Sequence, residues 1–140
     1  MSTPAVKEKK PTIVNPMIHG DLPLEVVKAC EQIKDWIADI RRKISSGQPV
    51  PPGEFFELSA AIISFRTWLI DYLMEWEARY RDKMELFRSK NMSVAASEVK
   101  AKTTPEYRGY KYLDRFDEVA QEMVLLTKKF QEKMTDDGRM

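Results

Sequence analysis

EFFELSAAIISFRTWLIDYLMEWEARYRDKMELFRSK, residues 54–90, is a run of 37 residues without proline or glycine. Nothing in it breaks a helix, so it predicts a single helix of about 55 Å at 1.5 Å per residue. An apolar stripe runs Phe55, Leu58, Ile62, Phe65, Leu69, Tyr72, Trp76, Tyr80, Met84 and Phe87. Its steps alternate 3 and 4 as far as Trp76 and then read 4, 4, 3, a stutter that relaxes a left-handed supercoil. In the first half Ala61, Trp68 and Met74, with Ile63 and Ile70 beside them, make the helix apolar nearly all round. Such a helix must be enclosed by several neighbours. Two further helices from one chain would cover it poorly, so a second copy is expected. Phe55, Leu58, Ile62, Phe65, Trp68, Leu69 and Trp76 are the candidate interface between copies, together with Trp36 on the preceding helix.

Upstream of this run, Gln48–Gly53 holds Pro49, Pro51 and Pro52. Missing N–H groups and a fixed φ stop a helix there and allow the chain to reverse. A first helix over 22–46 is signalled by Asp21 as N-cap, Pro23 in the first turn and Gly47 as the stop. Within it Val26, Cys30, Ile33, Ile37, Ile40 and Ile44 step by 4, 3, 4, 3, 4, a seam three heptads deep. Residues 1–20 contain Pro4, Pro11, Pro16 and Gly20 without helical period and read as a flexible arm. The apolar cluster Ile13, Val14, Met17 and Ile18 gives that arm something to dock with.

Downstream, Ser93 caps a short helix over 94–101, with Val94, Ala95, Ala96 and Val99 along one side. Thr103, Thr104 and Pro105 open a last helix over 105–134, where Glu106 suits the positive end of the dipole. Leu113, Phe116, Ala120, Met123, Thr127, Phe130 and Met134 repeat the 3, 4 spacing, with Thr127 as the one polar position, suited to setting register. Gly109 within this helix costs about 1 kcal/mol relative to alanine. Either another backbone approaches there, or the helix begins only after Tyr110. Residues 135–140 read as a frayed tail. The chain is thus expected to be all-α, with one helical domain over 21–134. The architecture is a helical hairpin or three-helix bundle with long coiled-coil-like helices that oligomerises.

Composition limits the chemistry. At 140 residues one core suffices, and 23 basic against 22 acidic side chains leave a net charge of +1, so any charged surface must be local. The single cysteine, Cys30, forbids an intrachain disulfide and agrees with a reducing, cytoplasmic setting. Its place on an apolar stripe marks it as a buried structural thiol rather than a reactive one. Met1–Lys10 has three lysines and no apolar region after it, which predicts no secretory signal, and no apolar run is long enough to span a membrane. His19 is the only histidine, so one Cys and one His cannot furnish a zinc site. Asp71, Glu75, Asp82 and Glu85 lie mostly off the apolar stripe and no Glu-x-x-His occurs. A di-metal helical site is therefore disfavoured, and with it a helical metal-dependent nucleotide hydrolase. No catalytic residue, metal or cofactor is expected.

Local charge is more informative. Between Arg88 and Tyr112 stand Arg88, Lys90, Lys100, Lys102, Arg108 and Lys111 against Glu98 and Glu106. Tyr107 and Tyr110 interleave with them, the combination of cations for phosphates and flat rings for bases that single-stranded nucleic acid requires. These eight residues are the candidate nucleic-acid site. Tyrosines at helical spacing also serve simply as packing.

The stretch from Lys90 through Asn-Met-Ser-Val-Ala-Ala-Ser-Glu-Val-Lys-Ala-Lys-Thr-Thr-Pro-Glu to Tyr107 is followed by a heptad helix. It resembles small helical proteins encoded in the recombination and replication regions of bacteriophages, over about residues 70–134. The resemblance implies a non-enzymatic accessory protein, acting beside DNA-handling proteins in the host cytoplasm. Residues 1–53 fall outside it. The expected partners are a second copy, another protein and single-stranded nucleic acid, with no membrane. The competing function is a protein-binding inhibitor or adaptor, such as a viral anti-defence protein, that touches no nucleic acid.

Overall fold

The structure, a computed structural model, describes residues 11–138, with side chains described through Lys133. The described residues form five helices and no strand: α1 (Pro16–His19), α2 (Leu24–Ser45), α3 (Pro52–Arg88), α4 (Val94–Ala101) and α5 (Pro105–Gly138). The protein is all-α, and no helix among the described residues is long and apolar enough to cross a membrane.

Local chemistry explains most boundaries. α2 ends at Ser45, and just beyond its cap stands Gly47, which has φ +75°. Its N–H donates to Ile44 O and that of Gln48 to Lys43 O, the paired bonds that close a helix on a left-handed glycine. Pro52 opens α3 at its first position, where a missing N–H costs nothing. α3 ends at Arg88, just short of the expected Lys90, and Asn91 turns the chain at φ +64°, a conformation its short polar side chain tolerates. The Ser93 side chain accepts the Ala96 N–H at 3.1 Å and caps α4. α5 begins at Pro105, with Thr104 accepting the Tyr107 N–H at 3.3 Å. It runs past the expected end near 134 to Gly138, since no breaker intervenes. Arg139 and Met140 of the expected tail lie outside the described residues, as does the Met134 side chain.

Two expectations are corrected at the N-terminal side. Residues 16–20, read as part of a flexible arm, are folded onto α5, and Val14 packs against the core; residues 1–10 of that arm lie outside the described residues. Asn15 caps α1 by accepting the Met17 N–H, and its own N–H donates to His19 Nδ1 at 2.9 Å. His19 is buried. Gly20, at φ +59°, lies so close to α5 that a Cβ would stand 2.0 Å from Pro105 O and 2.8 Å from Gly109 N. Asp21 does not cap α2, which follows Pro23 without a side-chain cap. Instead Asp21 Oδ1 accepts the Trp76 indole N–H at 2.7 Å, and Arg79 approaches the same carboxylate at 3.8 Å.

These contacts settle the role of Gly109. It lies inside α5, and a Cβ there would meet Trp76 Cδ1 at 2.6 Å and Leu22 at 3.1 Å. The glycine makes room for the Trp76 and Leu22 side chains rather than for a backbone, and it does not mark a late helix start.

α3 and α5 pack along much of their length, α1 presses on α5, and α4 lies against α3. α2 completes one core in which Val26, Val27, Cys30, Ile37 and Ile40 meet Phe55, Leu58, Ile62, Leu69 and Trp76 of α3 and Leu113, Phe116, Ala120 and Met123 of α5. Phe55 stacks on Phe130 at 4.3 Å, and Phe65 meets Phe116 edge-on at 5.4 Å. Thr127 is buried, its hydroxyl bonded to Met123 O of its own helix, so it needs no partner for register. α4 turns Ser97 and Ala101 inward, while Val94 and Val99 of its expected apolar side are exposed.

The residues expected at an interface between copies therefore divide. Phe55, Leu58, Ile62, Leu69 and Trp76 are buried by the chain's own helices, Phe65 and Trp36 are half-buried against the same core, and Trp68 is exposed. The core of one chain absorbs most of the stripe expected to need a second. What remains uncovered on α3 is the opposite face: Phe56, Ile63, Ile70 and Met74.

Candidate functional site

Seven of the eight residues of the basic and aromatic run separate into two groups, and Tyr110 packs apart from both. Arg88 ends α3, Lys90 lies in the turn that follows, and Lys100 is in the last turn of α4. Arg88 pairs with Glu85 at 3.1 Å and Lys100 lies over the Phe87 ring at 5.0 Å. Lys102, Tyr107, Arg108 and Lys111 line a groove of about 510 Å³, which they share with Lys34 of α2, Arg115 of α5 and an apolar floor of Met17, Ile18, Phe116 and Val119. No carboxylate lines it.

The groove follows from the docking of α1. Because Gly20 lacks a side chain, its backbone meets that of α5 at Pro105 and Gly109, and Met17 and Ile18 are set beside the face of α5 that carries Arg108, Lys111 and Arg115. Those three are spaced 3 and 4 and so share one side of the helix. Among the described residues neither they nor Lys102 has an ion-pair partner, whereas Lys34 is held by Glu31 at 3.1 Å. Four unneutralised cations around an apolar floor make a site for an anion that also carries apolar groups.

Tyr112 closes the back of the groove and donates a hydrogen bond to Glu31. The His19 ring meets it edge-on at 4.7 Å, and Lys34 lies over its face at 5.2 Å. Burial lowers the His19 pKa, with Lys34 adding to the effect and the Glu31 charge opposing it. Burial pushes the Glu31 carboxyl up, but the bonds from Tyr112 and Lys34 and the Lys34 charge outweigh it and hold the group below the ordinary carboxylate range. Burial and then the Glu31 bond raise the Tyr112 phenol. The cluster thus favours a neutral imidazole beside an ionised carboxylate. Its task is to hold α1, α2 and α5 together.

The tyrosines are engaged. Tyr110 stacks on Tyr80 at 5.8 Å and donates to Glu77 at 3.2 Å, and Tyr107 packs on the same Tyr80 ring at 4.9 Å. They join α3 to α5. Of the groove residues the sequence did not single out, Arg115 was within reach, being one helical step beyond Lys111. Lys34 was not, and Met17 and Ile18, though marked as an apolar docking cluster, join this site only through the docking of α1. Cys30 is buried and its thiol is pushed up to about 12, first by burial and then by the Glu31 charge. Among the described residues no group of three or more His, Cys, Asp or Glu is placed to hold a metal ion. No family model, curated protein or solved structure matches the chain.

Proposed function

We propose that the protein is a non-enzymatic interaction protein of the cell interior, built as a three-helix bundle of α2, α3 and α5, that captures an acidic segment of another protein in the α1–α5 groove. The carrying observation is the lining: five cations, no carboxylate, and a floor of Met17, Ile18, Phe116 and Val119. Exposed methionine and isoleucine adapt to apolar anchors, and the flanking cations select acidic residues between those anchors. An adaptor or inhibitor reading therefore stands ahead of a nucleic-acid one. Base stacking needs free ring faces, and Tyr110 and Tyr112 are spent on internal packing. The phage accessory setting implied by the resemblance over residues 70–134 is compatible with either partner.

Fluorescence anisotropy tests this with two labelled probes at low and moderate salt: an acidic amphipathic helical peptide and a single-stranded oligonucleotide. The peptide is expected to bind, and to lose affinity on Arg108→Glu with Lys111→Glu and again on Ile18→Asp. Binding of the oligonucleotide alone, salt-sensitive and indifferent to a neutral Ile18→Ser change, would replace the protein partner by nucleic acid.

A further inference from the structure

The outward face of α3 carries an apolar seam that the chain leaves uncovered. Phe56, Ala60, Ile63, Thr67, Ile70 and Met74 are all exposed and step by 4, 3, 4, 3, 4, the heptad spacing of a helix that meets another helix lengthwise. Phe56, Ile63, Ile70 and Met74 are 59%, 55%, 46% and 63% exposed. Together these four leave on the order of 450 Å² of side chain in solvent, the size of the largest patch on a monomer. That is more than half of the roughly 800 Å² per partner of a standard interface. The Thr67 hydroxyl is bonded to Ile63 O at 3.2 Å, so it needs no partner across the seam.

We infer that this face pairs with the same face of a second copy, the two α3 helices lying parallel. The charges beside the seam choose both the occupant and its direction. Taking Phe56, Ile63 and Ile70 as the d positions, Glu57, Ser64 and Asp71 fall at e, and Ser59, Arg66 and Leu73 at g. In a parallel pair each g residue faces the e residue five places on in the other helix, so Arg66 meets Asp71 of the second copy, twice by symmetry. In an antiparallel pair e faces e, and Glu57 would stand against Asp71. Asp71 has no ion-pair partner among the described residues. Asp117 holds Arg66 through Nε at 2.6 Å and Nη2 at 3.4 Å, which orients the guanidinium and leaves Nη1 for the second copy. No seam residue lines the groove, so this pairing stands or falls independently of the groove's occupant.

Sedimentation equilibrium of the full chain over a wide concentration range is the test. The wild type is expected at twice the chain mass, and Ile63→Glu with Ile70→Glu at the chain mass with its helical circular dichroism unchanged. Asp71→Arg, a change at an exposed position, is expected to weaken self-association about tenfold by turning two attractive pairs into repulsive ones. A wild type that remains monomeric at the highest concentration overturns the pairing. Tighter association of Asp71→Arg, which would then face Glu57, overturns the parallel direction.

Discussion

His19 and Gly20 show how much of the groove depends on two side chains, one present and one missing. His19 Nδ1 accepts the Asn15 N–H, which only the neutral ring can do, and its pKa is lowered chiefly by burial. The unfolded chain therefore takes up this proton at higher pH than the native one, and stability falls as pH drops below the ordinary histidine value. Glu31 acts in the same direction in a lower window, since its native carboxyl must be protonated below its ordinary value. Thermal melts from pH 8 to 4 should show two successive losses, and His19→Gln should remove the upper one. A melting temperature flat from neutrality down to about 5 would mean that α1 does not report on the imidazole. Gly20→Ala adds a Cβ 2.0 Å from Pro105 O at a left-handed φ. It is expected to destabilise by at least about 2 kcal/mol and to loosen peptide capture in the groove. Gly109→Ala gains helix propensity but meets the Trp76 ring at 2.6 Å, so a net loss of about 1 kcal/mol or more in urea unfolding is expected.

At the scale of elements, α3 is read most securely in its extent and least securely in its facing. Its length follows from 37 unbroken residues, and its limits from Pro52 and Asn91. Ser93, Pro105 and Gly47 likewise act through bonds within a few residues, which is why they are visible in sequence. Which side of an all-round apolar helix faces inward is decided by α2 and α5, whose residues lie tens of positions away. The stripe assigned to a second copy accordingly became the core, and the groove required α1, α2 and α5 at once. Asp21 shows the same limit, since its bond to Trp76 spans 55 positions and competes with the local capping role its sequence position suggested. This bond ties the α1–α2 junction to α3. Asp21→Ala should cost about 1–2 kcal/mol by leaving the buried indole N–H unpaired. Asp21→Asn, which keeps an acceptor and loses only the exposed Arg79 pair, should cost less than about 0.5 kcal/mol. Equal losses for the two would place the contribution in the charge.

For the molecule as a whole, the question is whether α2 opens separately from the α3–α5 pair, which lies closer together than α2 does to either. Val26, Val27, Cys30, Ile37 and Ile40 are all buried within the one apolar cluster. Lifting α2 away would expose them together with the α3 and α5 residues they cover. At about 25 cal/mol per Å² of apolar surface such a step exposes much of what global unfolding exposes, so the core should open as one unit. Cys30 reports this directly. Its thiol is fully buried and pushed up to about 12, so the native state offers a reagent almost no thiolate. Labelling by a water-soluble disulfide reagent should therefore proceed only through molecules in which α2 has left the core. Its free energy, and its slope against urea, should equal those of helical unfolding followed by circular dichroism. Labelling markedly faster than global unfolding, with a shallow urea slope, would show α2 opening alone. The groove, which takes Lys34 from α2 and Arg108, Lys111 and Arg115 from α5, would then assemble and dissolve with that motion.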